Sequence, residues 1–220
     1  MPAVTKAITK AIALNFGSTI QYAKRSLYQT LLMSNRDLVY TALFAAIVAV
    51  LGLVPPIPLP FIPVPITAQT LGVMLAGSIL GAKRGGLALV LFLLMVAIGM
   101  PILSGGRGGL GVFVSPSAGF LIGFPLAAFT IGWLTERFWH RLSVGSALLF
   151  NITGGIIVVY LLGVPVLAIA AKMSLLKALT VSLAFIPGDL IKSVIAAMAA
   201  VAVKRTYPLI ETRHAHHGRV

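Results

Sequence analysis

Two charged residues lie inside an apolar run near the C-terminal end of the chain. The run reads FIPGDLIKS over residues 185–193 and holds Asp189 and Lys192, although the whole chain has only four acidic residues. Residues three apart share one face of a helix and can reach each other. A charge at the centre of a bilayer costs about 3 kcal/mol on insertion scales, so such residues commonly face the bundle interior and mark a substrate or ion path. The pair predicts either a polar clamp at the end of an apolar pocket or a structural ion pair that neutralises itself.

The two residues before Asp189 favour the clamp. Pro187 lacks a backbone N–H, and Gly188 is conformationally permissive, so together they weaken a helix at this point. Backbone groups that are freed within a membrane segment must be satisfied by a cavity or a ligand. We therefore expect an irregular helix immediately before the charged pair.

A second candidate is the glycine-rich stretch GGRGG, which carries Arg107 between Gly106 and Gly108. Glycines let backbone amides approach a ligand closely, and an arginine fork binds a carboxylate through two hydrogen bonds. The alternative is a flexible loop with a solvated arginine. The stretch has no strand-to-helix context, so it does not indicate a nucleotide-binding fingerprint.

Several classes of chemistry are disfavoured. The chain has no cysteine, which excludes disulfides, thiolate nucleophiles and cysteine-ligated metals. The sequence shows no Ser–His–Asp set, no paired carboxylates and no Walker motif, so an enzyme that uses Asp189 as a base lacks a second group and the chain lacks an ATP site. Three histidines, His214, His216 and His217, lie in a basic tail, where we expect no metal site.

The elements that must position these residues are membrane helices. Hydrophobic residues make up 59% of the 220 residues and charged residues 10%, against about 25% charged in a typical soluble domain. Apolar runs long enough to cross a bilayer recur, which predicts an all-α membrane protein of six transmembrane helices. The predicted spans are 38–54, 66–82, 86–103, 118–134, 144–164 and 180–203. Residues 55–65 contain six prolines and cannot form a regular helix.

The distribution of basic residues predicts the orientation. The formal net charge is +13, and most Lys and Arg fall in the two tails and in the turns at 83–84 and 135–143. The remaining loops carry only Arg107, Lys172 and Lys177. The positive-inside rule then places both termini in the cytoplasm and Asp189 near the outer face. The positive charge therefore reflects orientation in a membrane rather than binding to nucleic acid.

Smaller signals lie in the first and fifth spans. Ala42 and Ala46 form one pair of small residues four apart, and Ala45 and Ala49 form another, a spacing that lets a second helix pack closely. Asn151 is an uncharged polar residue in the fifth span, where we expect a hydrogen bond between helices.

Three segments are predicted along the chain: an N-terminal extension (1–35), a membrane domain (36–205) and a cytoplasmic tail (206–220). The extension is basic and rich in Ser, Thr and Gln, as in an organellar transit peptide. It also fits an upstream extension of a chain whose usual start is Met33, which we favour.

Three stretches together resemble the BioY family, the biotin-binding S components of energy-coupling factor (ECF) transporters. They are RDLVYTALFAAIVAVLGLVPPIPLPFIPVPITAQTLGVMLAGSILG, GMPILSGGRGGLGVFVSPSAGFLIGFPLAAF and FIPGDLIKSVIAA. The resemblance covers about residues 36–205. It implies a six-helix bundle that holds biotin near the outer face, with Asp189 and Lys192 lining the pocket. Arg107, Phe120 and the glycines Gly106 and Gly108 are then further candidates for contact with biotin.

The resemblance also implies partners. The small residues of the first helix, Ala42, Ala45, Ala46 and Ala49, would dock against a membrane-embedded T component, and a pair of cytoplasmic ATPases would drive release of biotin inward. The chain would be a multi-pass protein of the bacterial cell membrane, without a cofactor and without enzymatic activity. An S component for another vitamin, such as thiamin or riboflavin, is the alternative within this class. A membrane protein in which Asp189 and Lys192 only neutralise each other is the alternative outside it.

Overall fold

The structure is a computed structural model that describes residues 34–60, 62–206 and 209–210. Contacts distinguish two units along the chain, residues 1–39 and 40–220, and only residues 34–39 of the first are described. Residues 1–33 of the predicted extension, and the tail histidines within 211–220, lie outside the described residues.

Six helices make up most of the described chain, as the sequence predicts. They are α1 (Asn35–Leu51), α2 (Gln69–Leu80), α3 (Ala82–Ala97), α4 (Ala118–Arg137), α5 (Val144–Ala170) and α6 (Leu175–Thr206). The last three are long and apolar enough to cross a membrane. α2 is a shorter apolar helix of 12 residues.

The proline-rich segment is a β-hairpin, a structure that was not predicted from the sequence. Strand β1 (Ile57–Leu59) pairs antiparallel with β2 (Ile62–Ile66), with Ile57 opposite Ile66. Prolines occupy alternate positions within the strands, so the residues between them can supply the N–H groups of the ladder. The expectation that this segment is not helical is confirmed.

The connection between α2 and α3 is tighter than predicted. Gly81 alone separates the two helices, with φ of 85°, and a Cβ there would lie 2.1 Å from Glu136 Oε1. The same Glu136 oxygen accepts a hydrogen bond of 2.8 Å from the Ala82 N–H at the start of α3. Lys83 and Arg84 therefore lie in the first turn of α3, and the prediction that they form a turn outside the helices is wrong.

Helix α5 contains a π-helical turn at Thr153–Val158, between α-helical segments Val144–Ile152 and Val159–Ala170. Added Cβ atoms at Gly154 and Gly155 would lie 2.3 Å from Ile131 and 2.4 Å from Met74. The glycines therefore let α5 lie close to α2 and α4. The turn ends two residues before Tyr160, in the same helix.

Asn151 joins three helices, as predicted. Its Oδ1 accepts from Ser78 Oγ of α2 at 2.6 Å, and its Nδ2 donates to the Ser193 carbonyl of α6 at 3.2 Å. The Asn151 side chain is fully buried. A buried amide needs such partners, because an unsatisfied polar group in an apolar interior is costly.

One end of the bundle gathers basic and aromatic residues. Arg84 donates to the Leu209 carbonyl at 2.8 Å, and the Lys204 ammonium donates to the Trp139 carbonyl and lies 5.2 Å from the centre of the Trp139 ring. The start of α3, the turn after α4 and the end of α6 thus meet at the same end. The expectation that residues 83–84, 135–143 and the C-terminal segment lie on the cytoplasmic side of the membrane stays a prediction.

Candidate functional site

A cavity lies between the β-hairpin, the glycine-rich loop that follows α3 (residues 98–109) and four helices, α2, α4, α5 and α6. Its polar and charged lining consists of Thr67, Gln69, Thr70, Arg107, Ser117, Tyr160, Asp189 and Lys192. Its apolar lining consists of Val64, Ile66, Leu103, Phe120, Leu121, Phe124, Val159 and Phe185. The two classes are present in equal numbers, so the cavity suits a ligand that has both apolar and hydrogen-bonding surface.

Asp189 and Lys192 form the ion pair that their spacing predicts. Lys192 Nζ lies 2.9 Å from Asp189 Oδ1, and it also donates to Thr70 Oγ1 at 2.9 Å. Thr70 Oγ1 in turn donates to Asp189 Oδ1 at 3.2 Å. The Tyr160 hydroxyl donates a hydrogen bond of 2.8 Å to the other carboxylate oxygen, Asp189 Oδ2. Four residues from α2, α5 and α6 therefore form one polar cluster in the wall of the cavity.

The irregularity expected before Asp189 is present in α6. A 3₁₀ turn at Leu183–Phe185 interrupts the helix, and an α-helical segment begins again at Ile186. Pro187 falls in the first turn of that segment, where its missing N–H costs no helical hydrogen bond. Asp189 follows in the same turn and is 4% exposed, so the restart of the helix directs the carboxylate into the bundle.

Three aromatic rings form an apolar wall of the cavity. Phe120, Tyr160 and Phe185 meet pairwise edge to face, with ring centres 6.0–6.5 Å apart. Gly163, one turn beyond Tyr160, leaves the space that Phe120 fills, because a Cβ there would lie 2.3 Å from the Phe120 ring. The sequence-predicted residue Phe120 therefore lines the same cavity as the charged pair.

Arg107 lines this cavity from the glycine-rich loop. Leu103 and Arg107 form an isolated antiparallel bridge, and the guanidinium of Arg107 makes two long hydrogen bonds, to the Ser104 carbonyl at 3.4 Å and to Ser117 Oγ at 3.5 Å. Both partners are neutral. The structure thus brings together four predicted site residues, Asp189, Lys192, Arg107 and Phe120.

The two glycines beside Arg107 are not part of the cavity lining. Gly106 has φ of 68° and is exposed, so it provides a turn that other residues would adopt with strain. Gly108 lies against the backbone of Met100, whose carbonyl oxygen would be 2.2 Å from an added Cβ. Both glycines shape the loop, and their direct contact with a ligand stays a prediction.

Thr70, Tyr160, Gln69 and the hairpin residues of the cavity were not predicted as site residues. Thr70 and Tyr160 are separated from Asp189 by 119 and 29 positions in sequence, so the contacts depend on tertiary structure. Thr70 and Tyr160 could nevertheless have been recognised in the sequence, because each is a polar residue within or beside an otherwise apolar span.

The alanines of α1 lie on different faces. Ala42 and Ala46 are exposed, Ala49 is half-buried and Ala45 is fully buried. Ala45 packs inside the bundle and is not available to a partner in this conformation, which corrects the expectation that all four form one docking surface. The docking role of the exposed Ala42 and Ala46 and of the half-buried Ala49 stays a prediction.

No group of three or more His, Cys, Asp or Glu that could hold a metal ion occurs among the described residues. The acidic residue of the cavity is paired with a lysine instead. The cavity lining can offer hydrogen bonds and charge pairing to an amphipathic ligand.

The chain is similar to known proteins of a transporter family. The BioY family matches residues 23–209. A protein of Rhizobium etli (strain CFN 42), named biotin transporter BioY, is 55% identical over 186 residues, which are 82% of this chain and all of the relative. A protein of Bacillus subtilis (strain 168), named probable biotin transporter BioY, is 48% identical over 182 residues, 83% of this chain and 97% of the relative.

A crystal structure of the S component for biotin from an ECF-type ABC transporter has the same fold. It superposes with a TM-score of 0.76 at 34% sequence identity, over 81% of this chain and 97% of that chain. The relatives are named as transporters, in agreement with the expectation of a transport component rather than an enzyme. The six-helix membrane fold, the matched range and the extent of identity lead to one conclusion: the chain belongs to the BioY family.

Proposed function

We propose that this protein takes up biotin across the cell membrane as the substrate-binding S component of an ECF-type transporter. The observation that carries the proposal is the cavity, which has the Asp189–Lys192 pair with Thr70 and Tyr160 in one part and Arg107 in another. Biotin has a ureido group, an apolar bicycle and a carboxylate tail. The cavity offers complementary groups for each of these parts.

The ureido group suits the charged pair. Asp189 accepts three hydrogen bonds from protein donors, and a carboxylate has about four acceptor positions, so one position is open for a ureido N–H. Lys192 donates to Asp189 and Thr70, which leaves its third ammonium proton for the ureido carbonyl. Asp189 and Lys192 would then hold the ureido ring together.

The carboxylate tail suits Arg107. Its guanidinium is held by two long hydrogen bonds to neutral oxygens, so its charge is not neutralised by these contacts. A carboxylate can accept two parallel hydrogen bonds from such a fork. The rings of Phe120 and Phe185 would cover the apolar bicycle between the two polar regions.

The basic end of the bundle supports an orientation with the cavity near the outer face. Arg84 and Lys204 lie at the end that also carries the exposed residues Arg137, Arg141 and Arg205. By the positive-inside rule we infer that this end faces the cytoplasm. With its long apolar helices, the protein would then be a multi-pass component of the cell membrane. A T component and two ATPase subunits, supplied by other chains, would complete the transporter, and no cofactor is required.

Binding of radiolabelled biotin to the purified protein in detergent tests the proposal. We expect saturable binding that unlabelled biotin removes and that an equal excess of thiamin or riboflavin does not. Competition by thiamin or riboflavin would assign the cavity to that vitamin instead. A well-folded preparation that binds no biotin up to micromolar concentrations would overturn the proposal.

A further inference from the structure

Gln69 connects the glycine-rich loop to two helices through its side-chain amide. It is the first residue of α2, is 2% exposed and lines the cavity. Its Nε2 donates to the carbonyls of Val48 in α1 at 3.3 Å and of Ile102 at 3.1 Å. Its Oε1 accepts from the Ser104 N–H at 3.0 Å. One side chain therefore joins the end of α1, the start of α2 and the start of the loop.

The partners of Gln69 determine which way its amide faces. The amide faces two backbone carbonyls, which can only accept, and one backbone N–H, which can only donate, so the NH₂ group must face Val48 and Ile102. The opposite orientation would place oxygen against oxygen twice. Neither a carboxylate nor an apolar side chain of similar length can meet these three requirements.

The junction around Gln69 is closely packed. A Cβ at the buried residue Gly52, just after α1, would lie 2.3 Å from the Ile102 carbonyl oxygen and 3.0 Å from Gln69 Nε2. Gly72 lies similarly close to α1, since a Cβ there would be 2.8 Å from Val48. The loop therefore begins from a closely packed anchor, formed by Gln69, Gly52 and Ile102.

The hydrogen bonds of Gln69 extend through Ser104 to Arg107. Ser104 gives its N–H to Gln69, and its carbonyl accepts from Arg107 Nε at 3.4 Å. Leu103, which precedes it, exchanges two backbone hydrogen bonds with Arg107, at 3.0 and 3.3 Å. The position of the guanidinium thus depends on residues 103–104, and Gln69 holds these residues in place.

We propose that Gln69 is a positioning residue, which holds the loop so that Arg107 meets the anionic end of the ligand. The inference rests on the proposed function, because it assigns the carboxylate of biotin to Arg107. Gln69 acts through Ser104 and contributes to the choice between a charged and a neutral tail. It does not contribute to recognition of the ureido ring.

The test compares biotin with biotinamide, whose tail is neutral. We expect the unmodified protein to prefer biotin, and Gln69→Met to reduce the ratio of the two affinities by about tenfold, because a hydrogen bond between charged groups is lost. The affinity for biotinamide should change less than threefold. In a double-mutant cycle, Arg107→Met should add little further loss to Gln69→Met, since both act on the same contact.

Asn151→Leu is the matched control, because Asn151 is also a buried amide that joins helices but has no contact with the loop. A purely structural defect should lower both affinities in parallel and keep their ratio. An unchanged ratio in Gln69→Met, or an equal change in Asn151→Leu, would overturn the inference.

Amide hydrogen exchange tests the anchor without a ligand. Its first measurement uses the unmodified protein alone. The Ser104 amide should be strongly protected in the unmodified protein and should exchange faster in Gln69→Met. Rapid exchange of this amide in the unmodified protein would refute the anchor even if Gln69→Met does not fold. If the unmodified protein binds neither ligand, the proposed function fails, and the exchange result still decides whether Gln69 fixes the loop.

Discussion

The hydroxyl of Tyr160 donates a 2.8 Å hydrogen bond to Asp189 Oδ2, across 29 positions of sequence. The charged pair of α6 is therefore not self-contained. Lys192 and Thr70 each donate a hydrogen bond to Asp189 Oδ1, and Tyr160 donates one to Oδ2. This arrangement fixes the carboxylate plane and leaves a single acceptor position, which we assign to the ligand.

Asp189→Asn should weaken biotin binding more than it weakens folding. The amide cannot accept from the same three donors with the strength of a carboxylate, and Lys192 loses its counter-ion. Hydrogen bonds to charged groups contribute about 1.5–3 kcal/mol, so we expect about 10- to 100-fold weaker binding in an equilibrium assay.

Glu136→Gln is the control for Asp189→Asn. Glu136 is a carboxylate outside the cavity lining, and glutamine keeps an oxygen that can accept from the Ala82 N–H. Binding should be unchanged in this variant. Normal biotin affinity in Asp189→Asn would show that the carboxylate is not part of the binding site.

Exchanging the two charges separates a binding role from a structural role. The double variant Asp189→Lys with Lys192→Asp keeps an ion pair at the same i, i+3 spacing but moves the acid away from Tyr160. We expect biotin binding to be abolished while the protein still elutes as a folded species in size-exclusion chromatography. Full binding by the exchanged protein would favour a pair that only neutralises itself.

The sequence predicts the helices well but places some of their ends wrongly. Continuous apolar runs identify six helices because lipid requires every backbone group to be bonded within its segment. Gly81 ends α2 and α3 begins at the next residue, so Lys83 and Arg84 belong to a helix although their charge suggests a turn. Composition does not reveal that a carboxylate 54 residues away, Glu136, caps the new helix.

The site is predicted only where its residues are close in sequence. Asp189 and Lys192 are visible because helical periodicity places residues three apart on one face. Thr70 and Tyr160 join them through long-range packing, which one sequence does not encode in a readable spacing. The hairpin was detectable, because prolines at every second position are compatible with a strand and not with a helix.

Tyr160→Phe should weaken biotin binding moderately. The change removes the hydroxyl that holds Asp189 Oδ2 and keeps the ring against Phe120 and Phe185. A typical net contribution of about 0.5–1.5 kcal/mol predicts about three- to tenfold weaker binding by titration calorimetry. Tyr40→Phe, at a tyrosine outside the cavity lining, should have no effect. Equal losses in both variants would indicate a general change in folding.

Cysteine labelling should determine the orientation of the bundle. The native chain has no cysteine, so a single introduced thiol gives an unambiguous signal. Leu110→Cys, at an exposed position beyond the glycine-rich loop, should react with a membrane-impermeant maleimide in intact cells. His140→Cys, at the basic end, should react only after permeabilisation. The reverse pattern would place the cavity on the cytoplasmic side and contradict uptake from outside.

Replacing Ala42 and Ala46 by tryptophan should separate uptake from binding. Both alanines are exposed on α1, whereas Ala45 is fully buried and is left unchanged. Close helix contacts in membranes need small residues, so two indole rings should prevent docking of the T component. We expect biotin binding by the purified protein to stay within about twofold, because neither alanine lines the cavity. Uptake in cells that also produce the T component and the ATPases should fall strongly.

Leu161→Trp is the matched control for the alanine variants. Leu161 lies on α5 and is 71% exposed, so a tryptophan there adds similar bulk on a different helix. Uptake by Leu161→Trp should equal that of the unmodified protein, since α5 is not the proposed docking helix. Normal uptake by the Ala42 and Ala46 variant would remove α1 as the docking surface. Reduced uptake in both variants would show that bulk on any lipid-facing helix impairs the transporter.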